Sequence, residues 1–352
     1  MDFSSIANIV VPEGTVSSIE SNGAIIYGGG GGGLDPTTLK GIQSIVRAGK
    51  AQDYFKLGDV IDIAKYTSPK DNIVYNLPLK VVDFKNTTLQ DGKNIPAMTV
   101  MTDVILDVQM PLSNSLTYEG TKISDSSPVS GTIGFERWEW DIQRQWLNSD
   151  GNNWFHNYWD DAIRAGNLSV DSLKWSDAYE MTSLSSEEPT SETWYSYPGF
   201  LSCISSDLAS ILTPTKVNTV FFDKDGNESD TATYDKVTIM SAEQMYMVPF
   251  YAGANMEDDT TVGRENGYLE WFKQEWLKLG KTGLRGWGGA ACELDAQLSP
   301  MVGSPTYMHG VTWTRTATAA PNNHVDTGSW ANSRANRDPK TKWHIRPLIT
   351  IC

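Results

Sequence analysis

The chain of 352 residues has only three cysteines, Cys203, Cys292 and Cys352, too few and too scattered for a disulfide framework or a zinc site of short ligand spacing. Histidine is as scarce, with four in all, and His309, His324 and His344 share no spacing that would converge ligands, so they read as structural. Basic residues are outnumbered: 28 Lys and Arg face 43 Asp and Glu, a formal charge of −15. Nucleic-acid binding needs clustered cations to displace counterions, so DNA and RNA are poor partners. No apolar run approaches the ~20 residues that cross a bilayer, so membrane insertion is not expected. The first Lys or Arg is Lys40, so the N-terminus has no basic signal region. A nucleophilic triad is unsupported, because there is no Gly-x-Ser-x-Gly and no motif around any cysteine. These absences predict neither enzymatic activity nor a cofactor.

What is present suits a folded chain: AVILMFWYC residues make up 39% of it, enough to build a core. The first 27 residues carry two β-branched runs, containing Ile9, Val10, Val11, Val16 and Ile19, then Ile25, Ile26 and Tyr27, with turn residues between and inside them. Gly28 to Gly33 follow without interruption. A run with no side chains to bury and much backbone entropy to lose predicts a flexible tether over 28–35. It does not cradle phosphate, since no Lys-Ser or Lys-Thr comes after it.

Beyond the tether, Asp35 is placed to cap a helix with Pro36 at its first position. Leu39, Ile42, Ile45 and Val46 fall on one face up to Ala48, and Gly49 stops the run. This predicts a helical connector over 36–56. Strands are expected at Val60 to Ile63, Ile73 to Phe84 and Ala97 to Val108. Helices are expected at Trp138 to Asn148, Asn153 to Ala165, Pro198 to Leu212 and Tyr268 to Leu279. Val217 to Phe222 and Lys236 to Met240 read as a hairpin or neighbouring strands, and Val311 to Thr316 and Trp343 to Ile351 alternate like antiparallel strands. The pattern is α+β, without the strand–helix alternation of a doubly wound sheet. Thr182 to Tyr197 and Tyr251 to Asn266 are long irregular stretches, and such loops often carry recognition.

Each candidate site has a plainer explanation beside it. Asp223, Asp225, Asn227 and Asp230 offer oxygen ligands at alternating positions, a weak calcium candidate. In an EF-hand loop glycine stands sixth and Glu twelfth; here Gly226 is fourth and Tyr234 twelfth, and an acidic turn accounts for the residues without metal. Glu257, Asp258 and Asp259 form a second acidic cluster. Consecutive acids in a polar loop are usually solvated, and acid–base work would need burial to separate their pKa values. Among 13 Trp, those at helical spacing, such as Trp138 and Trp146, read as core. Trp287, beside three glycines, and Trp330, among Asn and Ser, are the candidates for a ligand-binding surface.

A set of segments in fixed order carries a resemblance: Gly58-Asp59, Leu79 to Phe84, Met98 to Leu106, Ile142 to Asn148, Asp235 to Glu243, Trp313 to Thr316 and Ile345 to Ile351. Together they resemble a domain family of Firmicutes-type bacteria and their phages, whose ends read like Trp-Leu-Arg-Ser and Val-Arg-Pro-Ala. That family is similar to a branch of the C-type-lectin-like fold, which includes formylglycine-generating enzymes and the phage major tropism determinant. The resemblance covers about residues 57–352 and implies small antiparallel sheets with flanking helices. It also implies that the Trp313 and Ile345 to Ile351 segments pair near the closing termini. Thr314 and Thr316 depart from the pattern, and the paired cysteines of formylglycine-generating enzymes have no counterpart, so that activity is not implied. Residues 1–27 resemble the short modules that open many phage virion proteins and join a displayed domain to the particle.

The expectation is therefore a phage virion protein, anchored through Ile9, Val10, Val11, Val16, Ile19, Ile25, Ile26 and Tyr27 to capsid or tail proteins. It would lie on the virion surface as a head fibre, decoration or tail-tip protein. A module of this size cannot bury enough surface alone, so a homo-oligomer, a trimer, is expected. The displayed domain would bind a bacterial surface glycan or protein through the long loops, with Trp287, Trp330, Glu257, Asp258 and Asp259 as contacts. The alternatives are a purely structural decoration or fibre protein, and a surface-polysaccharide hydrolase using carboxylates such as Glu257 or Asp259.

Overall fold

Five short strands, all antiparallel, form the centre of the molecule in the order Val237–Thr238, Leu348–Ile351, Met98–Thr102, Leu79–Asp83 and Val60–Ile61. The computed structural model describes residues 19–21, 24–27, 34–110, 112, 116–118, 131–133, 138, 141–152, 193–222, 228–247, 263–282, 301–303, 312–317, 324–326, 336–337 and 342–352. Side-chain alternation sets the register of the sheet. Leu79, Val81, Met98, Val100, Ile349 and Ile351 share one fully buried face, while Val82, Met101 and Leu348 face a second core.

The main core is completed by four helices, Leu39–Arg47, Ile142–Leu147, Phe200–Cys203 and Ser206–Ile211. The second is closed by the helix Glu270–Lys278, which turns Trp271, Phe272 and Trp276 onto Met240 and Tyr246. The result is an α+β arrangement of several small antiparallel sheets with helices against both faces of the central one. Among the described residues no helix is long and apolar enough to cross a membrane. The N-terminal strands Ile19–Ser21 and Ala24–Tyr27 pair antiparallel with each other.

The Leu39–Arg47 helix shows how closely side chains dictate its limits. Leu39, Ile42, Ile45 and Val46 are all buried, as their spacing requires. Its cap is Thr38, whose hydroxyl accepts the Gly41 N–H at 3.1 Å. Asp35 instead accepts the N–H and hydroxyl of Thr37, at 2.9 and 2.6 Å, so its carboxylate is spent on a turn and Pro36 lies outside the helix. At the far end Gly49, at φ +70°, donates to Val46 O and Lys50 donates to Ile45 O, a Schellman closure that favours glycine. Gln43 ties this helix to the rest, donating to Ile211 O and Cys352 O at 2.9 Å each.

Four expected elements divide or pair differently. Ile73 to Phe84 is broken at Leu77-Pro78: Val74–Asn76 pairs with Lys65–Thr67, and only Leu79–Asp83 enters the central sheet, because proline has no N–H for a ladder. Pro198 to Leu212 is two short helices. Ile204 is extended between them and bridges Tyr66, while the Ser205 N–H donates to Lys65 O. The partner of Thr215–Phe222 is Glu228–Asp235, in an eight-residue ladder; Val237–Thr238 continues into the central sheet. The expected pairing of Trp313 with Ile345 to Ile351 is not formed. Trp313–Ala317 pairs with His324–Asp326, Leu348–Ile351 pairs with Met98–Thr102, and the contact between the two regions is a bridge from Thr312 to His344. Leu348–Ile351 is occupied by Met98–Thr102 along its length and by Val237–Thr238 and a bridge from Leu212 to Ile351 otherwise, so the Trp313 strand is not among its partners.

Candidate functional site

Two buried polar networks and one cleft are built from the ends of these elements. The first network centres on Asp235, at the end of the long hairpin. Its Oδ2 accepts Trp138 Nε1 at 2.8 Å and the Thr233 hydroxyl at 2.6 Å, and its Oδ1 accepts Arg144 Nε at 2.8 Å. One turn along the Arg144 helix, Asn148 Oδ1 accepts the N–H groups of Lys236 and Val237, while its Nδ2 donates to Val237 O. Trp146 Nε1 donates to Pro198 O at 2.8 Å, and its ring meets Phe200 at a centroid distance of 5.4 Å. Gly199 sits so close to the Ser149 backbone that a Cβ would collide with it.

The second network joins Glu243, Glu265 and Arg315, each 3% exposed or less. Glu243 accepts three backbone N–H groups, those of Gly263, Glu265 at 2.6 Å and Gly267 at 3.1 Å. Arg315 Nη1 donates to Ile239 O at 2.5 Å and Gln244 Oε1 at 2.6 Å; its Nη2 donates to Glu265 O at 2.9 Å and Asn266 Oδ1 at 3.2 Å. Thr316 donates its hydroxyl to Glu265 Oε2 at 2.6 Å and accepts the Ala242 N–H. Asn266, in the left-handed region at φ +76°, also accepts the Asn218 N–H and donates to Lys216 O, fastening the long hairpin to this turn. Burial pushes the Glu265 carboxyl up to about 7, against the pull of Arg315 and Thr316, and the Glu243 charge adds to the rise. The same burial lowers Arg315 to about 10. Carboxylates this enclosed, turned toward backbone donors, cannot reach a substrate in solution.

A third cluster gathers around Asp107, which is only partly buried. Asp107 accepts Tyr66 Oη at 3.1 Å and Ser68 Oγ at 2.6 Å. Burial raises the nearby Cys203 thiol to about 12, which removes it as a thiolate nucleophile. His344 is lowered by burial and fixed by Leu106 O and Gln109 Nε2 at 2.8 Å each.

The cleft lies where the second face of the central sheet turns from apolar to polar. Asp83, Thr99 and Thr350 stand opposite one another on three adjacent strands and form its floor. Thr215, Lys216, Lys236 and Thr238, the run Lys85 to Thr87, and Gln244, Asn266 and Arg315 of the second network also line it. Its volume is about 90 Å³. Both carboxylates in the lining are already engaged: Asp83 with Lys85 Nζ at 2.9 Å, and Asp235 with Arg144. Burial raises the Asp83 carboxyl, with Lys85 opposing. Lys216 and Lys236 have no carboxylate partner among the described residues.

Most of the residues expected from sequence to form a site lie outside the described residues. Trp287, Trp330, Glu257, Asp258 and Asp259 lie outside the described residues, as do Asp223, Asp225 and Asn227, the tether, and Ile9, Val10, Val11 and Val16. Asp230 is described and pairs with Arg264 at 2.8 Å, and Ile19, Ile25, Ile26 and Tyr27 lie in the N-terminal strands. Among the described residues no group of three or more His, Cys, Asp or Glu is placed to hold a metal ion. The cleft was not expected, although a signal existed: in Met98-Thr99-Val100 and Ile349-Thr350-Ile351 the threonines alternate out of an apolar face. Trp138 and Trp146 are core, as their spacing implies, at 1% and 0% exposure. The chain matches no family model, no curated protein and no solved structure.

Proposed function

We propose that this chain is a phage virion protein that displays a non-enzymatic, C-type-lectin-like binding domain to the bacterial surface. The observation that carries the proposal is the clamp around Glu243. The Met247 N–H donates to Ala242 O, and the N–H groups of Gly263, Glu265 and Gly267 meet the Glu243 carboxylate. Two neighbouring residues, Ala242 by its backbone and Glu243 by its side chain, thus hold both flanks of residues 248–262, which suits a scaffold that presents a segment for recognition. The small antiparallel sheets with flanking helices are compatible with the fold that the sequence resemblance implies. The N-terminal strands and six-glycine run suit an attachment module and spacer, and many copies on one particle would multiply weak contacts.

Light scattering of the full chain and of a chain beginning at Leu34, with antibody labelling of virions under the electron microscope, tests the attachment half. A full-length trimer, a shortened monomer and labelled particles are expected. Two identical monomers and unlabelled particles would remove the virion role. Binding of the multivalent chain to host cells tests the adhesive half; labelled particles without cell binding would leave a decoration protein, and turnover of wall polysaccharide would leave a hydrolase.

A further inference from the structure

We propose that the cleft between Lys216 and Lys236 binds an anionic group carried on a hydroxyl-rich chain, such as an acidic glycan or a polyol phosphate. This names a ligand class for the adhesive role and rests on that reading for its biological setting, while its chemistry can be tested on the isolated chain. Three features of the cleft point the same way. The first is charge. In a protein of net charge −15, the lining brings together Lys85, Lys216, Lys236 and Arg315 against Asp83 and Asp235. Lys85 answers Asp83, Arg144 answers Asp235, and Arg315 spends its donors on Ile239 O, Gln244 Oε1, Glu265 O and Asn266 Oδ1 in the second network. That leaves Lys216 and Lys236 as the lining cations with no carboxylate partner among the described residues, each next in sequence to one of the paired residues Thr215 and Asp235 at the base of the hairpin.

The second feature is the hydroxyl and amide lining. Thr87, Thr99, Thr215 and Thr350 line the space with groups that both donate and accept, Asn86 adds an amide, and the Thr238 hydroxyl is already bonded to Ile239 O. Such groups match sugar or polyol hydroxyls, whereas an apolar ligand would leave them unpaired. The third is rigidity and size. The floor is three paired strands with a register shift just before Asp83, the hairpin is fastened by Asn266 to Asn218 and Lys216, and Lys236 is held through its N–H by Asn148. The space is about 90 Å³, too little to enclose a drug-sized ligand, so one charged group enters while the rest of the chain lies along the rim.

The test is calorimetric titration of the full chain at low salt with oligogalacturonate, poly(glycerol phosphate) and neutral dextran. One or both anionic probes are expected to bind, with weakening as salt rises, and dextran is not. Binding by one probe alone separates a carboxylate source from a phosphodiester source. The Lys216→Glu, Lys236→Glu double variant is expected to lose roughly tenfold or more in affinity, since each ammonium supplies only a modest attraction in a water-lined site. Lys278→Glu, distant from the cleft and paired with Glu275, is expected to bind as the parent does. If the double variant unfolds, Lys216→Gln and Lys236→Gln tested singly should each weaken binding about threefold by the same arithmetic. Equal binding of dextran, no binding of either anion, or unchanged affinity in the lysine variants overturns the proposal. Anion binding that survives while host-cell binding is absent retains the cleft and discards adhesion, so the two failures are distinguishable.

Discussion

The two buried networks use similar residues to opposite electrostatic effect. Around Asp235 one carboxylate meets one guanidinium and two neutral donors, so charge is balanced, and the Arg144 side chain is still 20% exposed. Around Arg315 two carboxylates share one guanidinium and none reaches solvent. The first welds a helix to a strand. The second supports an irregular turn, and its excess negative charge is accommodated by a proton that Glu265 holds more tightly than an exposed glutamate would. A balanced pair can thus be permanent, whereas an unbalanced trio makes stability a function of pH.

The largest expected effect breaks the trio. Arg315→Met leaves Glu243 and Glu265 without a cation and strips Ile239 O and Glu265 O of their donor, so a loss of about 3–5 kcal/mol is expected in urea unfolding at pH 7. Asp235→Ala should cost less, about 2–3 kcal/mol, because Arg144 can turn toward water while Trp138 Nε1 is left orphaned. If Asp235→Ala proves the more damaging, the contrast between the networks is wrong.

The next effect is read along the pH axis. Glu265 in the folded chain is raised to about 7 from an ordinary value of 4.5, so between these values the native state binds more protons than the unfolded chain. Its contribution is fully present below about pH 4.5 and is lost as pH rises through 7, a fall of up to about 3 kcal/mol. Asp83, raised by burial, contributes in the same sense at the acidic end. Glu265→Gln should keep the acid-side stability and flatten the decline, so that it exceeds the parent at pH 8. Parallel stability–pH curves for the two proteins would show that Glu265 does not titrate in this window.

Much of the frame was legible because periodicity records burial. Leu39, Ile42, Ile45 and Val46 gave one helix, and Met98, Val100, Ile349 and Ile351 gave the buried face of two strands. Within the segments from which the resemblance was read, Arg144, Asn148, Asp235, Glu243, Arg315 and Thr316 take part in the two networks, while Trp138, Thr233, Glu265 and Asn266 join them from outside those segments. What sequence did not give was partnership at a distance. Lys216, Lys236, Thr99 and Thr350 converge only when 215–222 pairs with 228–235 and the C-terminal strand inserts beside Met98–Thr102. Local breaks misled as well: nothing in the apolar run before Leu212 announces that Ile204 leaves the helix to bridge Tyr66.

A matched pair of small changes sharpens the comparison further. Thr233 and Thr316 each donate a hydroxyl to a buried carboxylate at 2.6 Å, Thr233 to Asp235 and Thr316 to Glu265. Valine preserves the shape of both and removes only the hydroxyl. Thr233→Val leaves Asp235 with Arg144 and Trp138, so a loss of about 1 kcal/mol is expected. Thr316→Val also removes the acceptor of the Ala242 N–H, so about 1–2 kcal/mol is expected. Because that hydroxyl favours the charged form of Glu265, its loss should also move the Glu265 transition to higher pH. Carboxyl-carbon NMR titration of Thr316→Val beside the parent measures this directly. An unmoved Glu265 transition would mean that the Thr316 hydroxyl does not favour its charged form, and that the two networks differ only in the backbone each one holds.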